Sequence, residues 1–226
     1  MNLAQAVEGP TIKWSWIADN SDEIYAQFLE HVGLTVLAVA LGLLISVPLA
    51  VYAYRHRWAY GPLTWVTGTL YTIPSLALFA FLLPYTGLTV KTAEIGLVSY
   101  TLLILIRNIV SGLAGVPSDV REAARGMGYS ERQLLLRVEL PLALPVIVAG
   151  IRLATVTTIG LVTVTALIGK GGLGSFILAG MRTDFVTATL VGSVLSLVLA
   201  VAVDALLVVS ERRLTPWATA RAREGA

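Results

Sequence analysis

The residues best placed to do chemistry fall in one stretch, Glu122 to Pro141, which reads EAARGMGYSERQLLLRVELP. It carries Glu122, Arg125, Glu131, Arg132, Arg137 and Glu139 between long hydrophobic runs. Charges of both signs at that density offer ion pairs and hydrogen bonds to something in water. They do not offer a reaction, because no nucleophile and base stand at motif spacing. Gly169-Lys170-Gly171 has the look of a phosphate loop and fails the pattern. The first glycine of GxxxxGK[ST] would be Val164, and Gly171 stands where a Ser or Thr must hold magnesium. Arg152 and Asp204 fall inside hydrophobic runs, where a charge is costly and is usually paired or faces a cavity. The chain has no cysteine and only His31 and His56, far apart, so disulfides, thiolate sites and a histidine metal site lack their residues.

The elements that must position these residues are membrane spans. The chain has 226 residues, 56% of them hydrophobic and 13% charged, where a soluble domain carries about 25% charged residues. Val32 to Tyr54 is uncharged and long enough to cross a bilayer. It stops at Arg55-His56-Arg57, and Gly61-Pro62 is expected to break the chain. Leu63 to Leu83 forms a second span with Pro74 inside it, which frees a carbonyl that neighbours or a local kink must accommodate. A polar loop with Lys91 and Glu94 leads to a third span from Ile95 to about Ser111, through Arg107 and Asn108. Leu142 to Ile168 is the fourth span and contains Arg152. A loop opens at Gly169, Gly171, Gly172 and Gly174 and runs through Arg182 and Asp184. Phe185 to Val209 is the fifth span and contains Asp204. The glycine loop is either a tight outer turn near a gate or a backbone that simply needs positive φ. Asp204 is expected to pair with Arg152 or Arg107, tying spans together; the alternative is a charge-lined cavity.

Five spans place the termini on opposite sides. Segments 55–61, 107–141 and 211 onward hold Arg55, Arg57, Arg107, Arg121, Arg125, Arg132, Arg137, Arg212, Arg213, Arg221 and Arg223. The opposite segments hold only Lys13, Lys91, Lys170 and Arg182. Positive charge accumulates on the cytoplasmic side, so the expected topology is N-terminus out, C-terminus in, with 116–141 in the cytoplasm. The chain divides accordingly into an extracytoplasmic segment 1–30, a transmembrane domain 31–213 and a tail 214–226. Trp14, Trp16, Ile17, Ile24, Tyr25, Phe28 and Leu29 form either a short interfacial helix or a partly ordered tail.

Within 116–141 the pattern predicts a helical hairpin. Asp119 is a candidate cap, and Val120, Ala123, Ala124 and Met127 fall on one stripe. Gly126 and Gly128 end that helix. Ser130 and Gln133 form a capping box for a second short helix, after which Leu140-Pro141 enters the fourth span. The pattern alone leaves open whether this is a partnerless amphipathic loop or a docking element.

Glu122, Ala123 and Ala124, Gly128 four residues on, then Val138, Leu140 and Pro141 match at every fixed position the cytoplasmic signature of permease subunits of bacterial ABC importers. The chain resembles that family, with valine where isoleucine is commoner. Thr72-Ile73-Pro74-Ser75-Leu76-Ala77-Leu78, Arg107-Asn108, Val138 to Pro145, Ala149-Gly150-Ile151-Arg152 and Ile168 to Gly174 resemble its osmoprotectant branch, with Lys170 where alanine is more usual. The resemblance covers about residues 30–215. The methionine importers share the signature and five spans, so a permease for methionine or another amino acid is the alternative. A stand-alone secondary carrier or channel is the further alternative, disfavoured by five spans with no inverted repeat.

The resemblance implies an all-α integral membrane fold of the type I importer kind with a methionine-permease-like core. It implies a multi-pass subunit of the bacterial plasma membrane, which is not an enzyme and binds no cofactor itself. ATP and magnesium would belong to partner ATPase subunits. A second permease, identical or paralogous, and an extracytoplasmic substrate-binding protein complete the set, with no nucleic acid. Cargo would be glycine betaine, carnitine or choline. Glu122, Ala123, Ala124, Gly128, Val138, Leu140 and Pro141 would form the element that couples to the ATPase, with Glu122 in polar contact and Gly128 setting the turn. An aromatic cage for the methylammonium head would sit in the binding protein.

Overall fold

The computed structural model describes residues 12–215. Among them the chain forms helices and no strand: α1 (Trp14–Asp19), α2 (Ser21–Arg55), α3 (Arg57–Thr72), α4 (Ser75–Thr86), α5 (Val90–Ala114), α6 (Ser118–Gly126), α7 (Glu131–Leu134), α8 (Leu140–Val164), α9 (Gly174–Arg182) and α10 (Val186–Leu214). In hydrocarbon every backbone N–H and C=O must be satisfied within the chain, and long apolar segments meet that demand as helices. Four helical stretches are long and apolar enough to cross: Ser21–Arg55, Val90–Ala114, Glu131–Ile168 and Val186–Arg213. Counting α3 and α4 together as one broken span gives five.

Several local expectations are corrected. Gly61-Pro62 does not break the chain; the break falls at His56, and α3 continues through Pro62. Pro62 is the sixth residue of α3, so it removes one interior bond, to the Trp58 carbonyl, and the helix runs on past it. The expected second span divides at Pro74, which takes an extended conformation (ψ 132°) before α4. Tyr100 donates its hydroxyl to the carbonyl of Ile73 at that break. The third span starts at Val90, so Lys91 and Glu94 are helical. The segment 174–182 is helix rather than loop. Ile24 to Leu29 form no separate interfacial helix but belong to α2, 35 residues long. Residues 1–11 of the predicted N-terminal segment and 216–226 of the predicted tail lie outside the described residues.

The chain forms two compact units. One contains residues up to Leu37 with Pro74–Leu97 and Thr157–Val201. There Trp16 meets Phe176 and Phe185 edge-on, at 5.9 and 5.2 Å between ring centroids. The buried His31 ring contacts the Ile159 carbonyl from Nε2 at 3.0 Å. The other contains Ala38–Ile73, Val98–Val156 and the chain from Ala202. Its core joins Ala50 of α2, Leu105, Ile106, Ile109 and Leu113 of α5, and Ala143, Ile147 and Ala154 of α8. Gly112 and Gly150 let α5 and α8 approach. A Cβ on Gly112 would lie 3.1 Å from the Ala143 carbonyl, and one on Gly150 would strike Asn108. Small residues at such crossings are how membrane helices, lacking a hydrophobic drive between them, gain contact.

Candidate coupling site

The polar hairpin starts at α6. Pro117 precedes it and no side chain caps it; Asp119 sits in the first turn instead, where its charge still favours the positive helix end. After Met127 the chain reverses at Gly128, whose φ of +86° belongs to the region glycine enters freely. Ser130 then accepts from the Gln133 N–H while Gln133 accepts from the Ser130 N–H, a complete capping box.

The second arm departs from expectation. It is no separate helix: α7, a π-helical turn Leu135–Glu139 and α8 follow without a gap. The Leu140 N–H reaches back five residues to the Leu135 carbonyl. Pro141 has no N–H, and its ring opposes the carbonyl four residues back; a widened turn just before it relieves that clash. Such π-turns often mark functional positions. Here the turn places Glu139 with 1% of its surface exposed.

Around Glu139 a network closes that joins both arms of the hairpin to the end of α2. Tyr54 donates to Glu139 Oε1 at 2.8 Å, and Arg121 Nη1 donates to the Tyr54 hydroxyl at 2.9 Å. Arg55 Nη2 lies 3.6 Å from Glu139 Oε2 and donates to the Glu131 carbonyl at 3.0 Å. The Arg55 guanidinium also meets the Glu131 carboxylate. Arg125 Nε donates to Glu131 Oε1 at 3.1 Å. A buried carboxylate is tolerable only when paired and hydrogen-bonded, and Arg55 with Tyr54 supplies both. Sequence reading missed Tyr54 and Arg55 as site residues and treated Arg55 only as a stop. The available signal was a carboxylate, Glu139, set between Val138 and Leu140 at the mouth of the fourth span. Its partners lie 84 and 85 residues away in the chain and leave no local mark.

The signature residues divide by exposure. Glu122, Ala123 and Gly128 are exposed, whereas Ala124 is 2% exposed and anchors α6. Val138, Leu140 and Pro141 are half-buried around the π-turn. Of the predicted stripe, Met127 is 71% exposed. The tip therefore presents Glu122, Ala123 and Met127 outward while the base is bound to α2.

A family model described as "Binding-protein-dependent transport system inner membrane component" matches residues 38–216. The chain belongs to that family. It is a multi-pass inner-membrane component of a transport system, a permease subunit rather than an enzyme. Membership implies a substrate-binding partner and an ATP-hydrolysing one. The chain is 36% identical to the choline transport system permease protein OpuBB of Bacillus subtilis over 209 residues, 92% of this chain and 96% of that one. It is 37% identical to the osmoprotectant import permease protein OsmW of Salmonella typhimurium over 206 residues, 89% of this chain and 96% of that one. Among solved structures, the inward-facing MetNI methionine ABC transporter aligns with a TM-score of 0.70 at 22% identity, covering 85% of this chain and 94% of that one. That likeness shows the fold alone.

In this permease the remaining predicted residues fall in two places. Arg152 donates to Asp204 through Nε at 3.0 Å and Nη2 at 3.2 Å, and through Nη1 to Glu211 at 3.2 Å. Arg107 takes no part in that cluster and is exposed. Gly169 caps a 3₁₀ turn with positive φ. Gly171 meets Ala166 and Gly174 meets the Thr163 backbone. Gly172, at φ +47°, has α2 so close that a Cβ would lie 2.6 Å from His31 Cβ and 2.8 Å from the Gln27 carbonyl. The described residues contain no group of three or more His, Cys, Asp or Glu that could hold a metal.

Proposed function

We propose that this permease forms the pore of an ATP-driven importer for quaternary ammonium osmoprotectants: glycine betaine, carnitine and choline. One observation carries the cargo class. Relatives named for choline, osmoprotectant, glycine betaine/carnitine/choline and carnitine transport match at 34–37% identity over 89–93% of this chain. Two permeases, identical or paralogous, line the path; two ATPases drive it; an extracytoplasmic binding protein delivers cargo. The charge asymmetry supports an N-terminus outside and the hairpin 116–141 inside the cell. Glu122, Ala123 and the Gly128 turn dock on the ATPase, with Ala124, Val138, Leu140 and Pro141 holding the hairpin's shape. When the ATPases close, the hairpins are drawn together. The Tyr54–Glu139–Arg55 network carries that displacement into α2, and the unbroken second arm carries it into α8. The Arg152–Asp204 pair ties α8 to α10. Gly169, Gly171, Gly172 and Gly174 shape a close-packed outer loop at the gate.

The cargo class is tested by uptake of labelled glycine betaine in competition with choline, carnitine and methionine. Competition by the quaternary ammonium compounds and none by methionine is expected. Competition by methionine alone would assign the cargo to amino acids.

A further inference from the structure

Beside α6, where α2 ends and α3 begins, a cavity of about 570 Å³ opens. Four arginines line it, Arg55, Arg57, Arg121 and Arg125, against one carboxylate, Glu139. Two of the four are engaged elsewhere as well, since Arg55 and Arg125 both bind Glu131. Arg57 and Arg121 have no acidic partner among the described residues; Arg121 reaches only the Tyr54 hydroxyl. Counting Glu131 with Glu139, guanidinium groups still outnumber carboxylates by two. Arg57 and Arg125 are exposed and Arg121 is half-buried, so the basic wall of this concave space is open to water. Like charges gathered there repel one another, and a bound anion relieves that repulsion. Guanidinium forks suit the oxygens of phosphate.

The position of the cavity narrows the source of that phosphate. Arg55 and Arg57 close the first uncharged run, and Val110 and Ala114 belong to the end of the α5 run. Tyr60 on the wall is a residue type that favours the headgroup level. The cavity thus sits where α2, α3 and α5 leave the hydrocarbon. Basic pockets between helix ends at that depth suit anionic headgroups. The outward tip at Glu122, Ala123 and Met127 is separate surface, suited to a protein partner in the water.

We propose that this cavity binds the phosphate of an anionic membrane lipid, with Arg57 and Arg121 as its principal ligands. The bound phosphate joins the start of α3 to α6 and so fastens the hairpin to the membrane helices. The proposal rests on the reading above only for the leaflet. Lipid binding is measured without transport, so failure of the osmoprotectant assignment would leave it standing.

The test uses the purified permease–ATPase complex as wild type, as an Arg57→Gln/Arg121→Gln pair and as an Arg57→Lys/Arg121→Lys pair. Each is equilibrated with phosphatidylcholine vesicles with or without phosphatidylglycerol, and retained lipid is counted by native mass spectrometry. Wild type is expected to retain phosphatidylglycerol. The glutamine pair should retain about thirtyfold less, about fivefold per arginine, and the lysine pair should recover most of it. Equal retention by wild type and a monodisperse glutamine pair would overturn the proposal. Inorganic phosphate that displaces the lipid completely at millimolar concentration would assign the site to a water-borne anion and overturn the lipid source. Retention by the isolated permease that vanishes when the ATPase binds would give the cavity to an acidic group of that partner, and would overturn the proposal too.

Discussion

At the scale of single residues, Glu139 decides how firmly the hairpin is held. It is the one carboxylate of the hairpin that is fully buried, and its charge is balanced by Arg55, which keeps 26% of its surface in water. Removing one partner of a fully buried pair costs about 3–5 kcal/mol. The partial exposure of Arg55 lowers that here to about 2 kcal/mol. Glu139→Ala should therefore destabilise the purified complex by about that amount in thermal unfolding, with Glu139→Gln intermediate because its carbonyl oxygen still accepts from Tyr54. In proteoliposomes the alanine variant should hydrolyse ATP with less transport per turnover. A melting profile and coupling ratio identical to wild type would remove Glu139 from the transmission path.

Between elements, the hairpin is a rigid bend rather than two independent rods. One arm, α6, is short and ends at a turn that needs φ near +86°. The other arm runs straight into a crossing helix through a π-turn. Proline cannot take a positive φ, so Gly128→Pro should abolish uptake while membrane insertion stays intact. Gly128→Ala keeps the chain able to turn at a strain of about 1–2 kcal/mol and should retain partial uptake. Glu122→Arg, on an exposed tip, should cost docking without cost to folding. Full uptake in both Gly128→Pro and Glu122→Arg would sever the hairpin from energy coupling.

For the whole molecule, direction across the membrane is the property most open to a single measurement. The chain has no cysteine, so Met127→Cys gives a unique thiol on an exposed tip, and Lys170→Cys gives one on the glycine loop. In intact cells a membrane-impermeant maleimide should label residue 170 and leave residue 127 unlabelled until the membrane is opened. Labelling of residue 127 in intact cells would reverse the topology and with it the placement of the ATPase.

Sequence by itself determined the class of fold, the main crossing segments, the hairpin with its capping box and glycine turn, and the family. These are local or periodic properties: a run of apolar residues must become helix in lipid, and a signature at fixed spacing needs no tertiary knowledge. Chain order also suggested Asp204 beside Arg152 or Arg107, because intramembrane charges seek partners. Only the folded chain chose Arg152, added Glu211 and left Arg107 outside. It alone turned the disturbance expected at Pro74 into a 94° break between α3 and α4, carried α3 past Pro62 and fused the hairpin's second arm to α8. It alone gathered Tyr54, Arg55, Arg121 and Glu139. The physical reason is the same each time: a proline's effect depends on which neighbours can absorb its lost hydrogen bond, and a buried charge depends on partners far along the chain. Neither is written in local sequence.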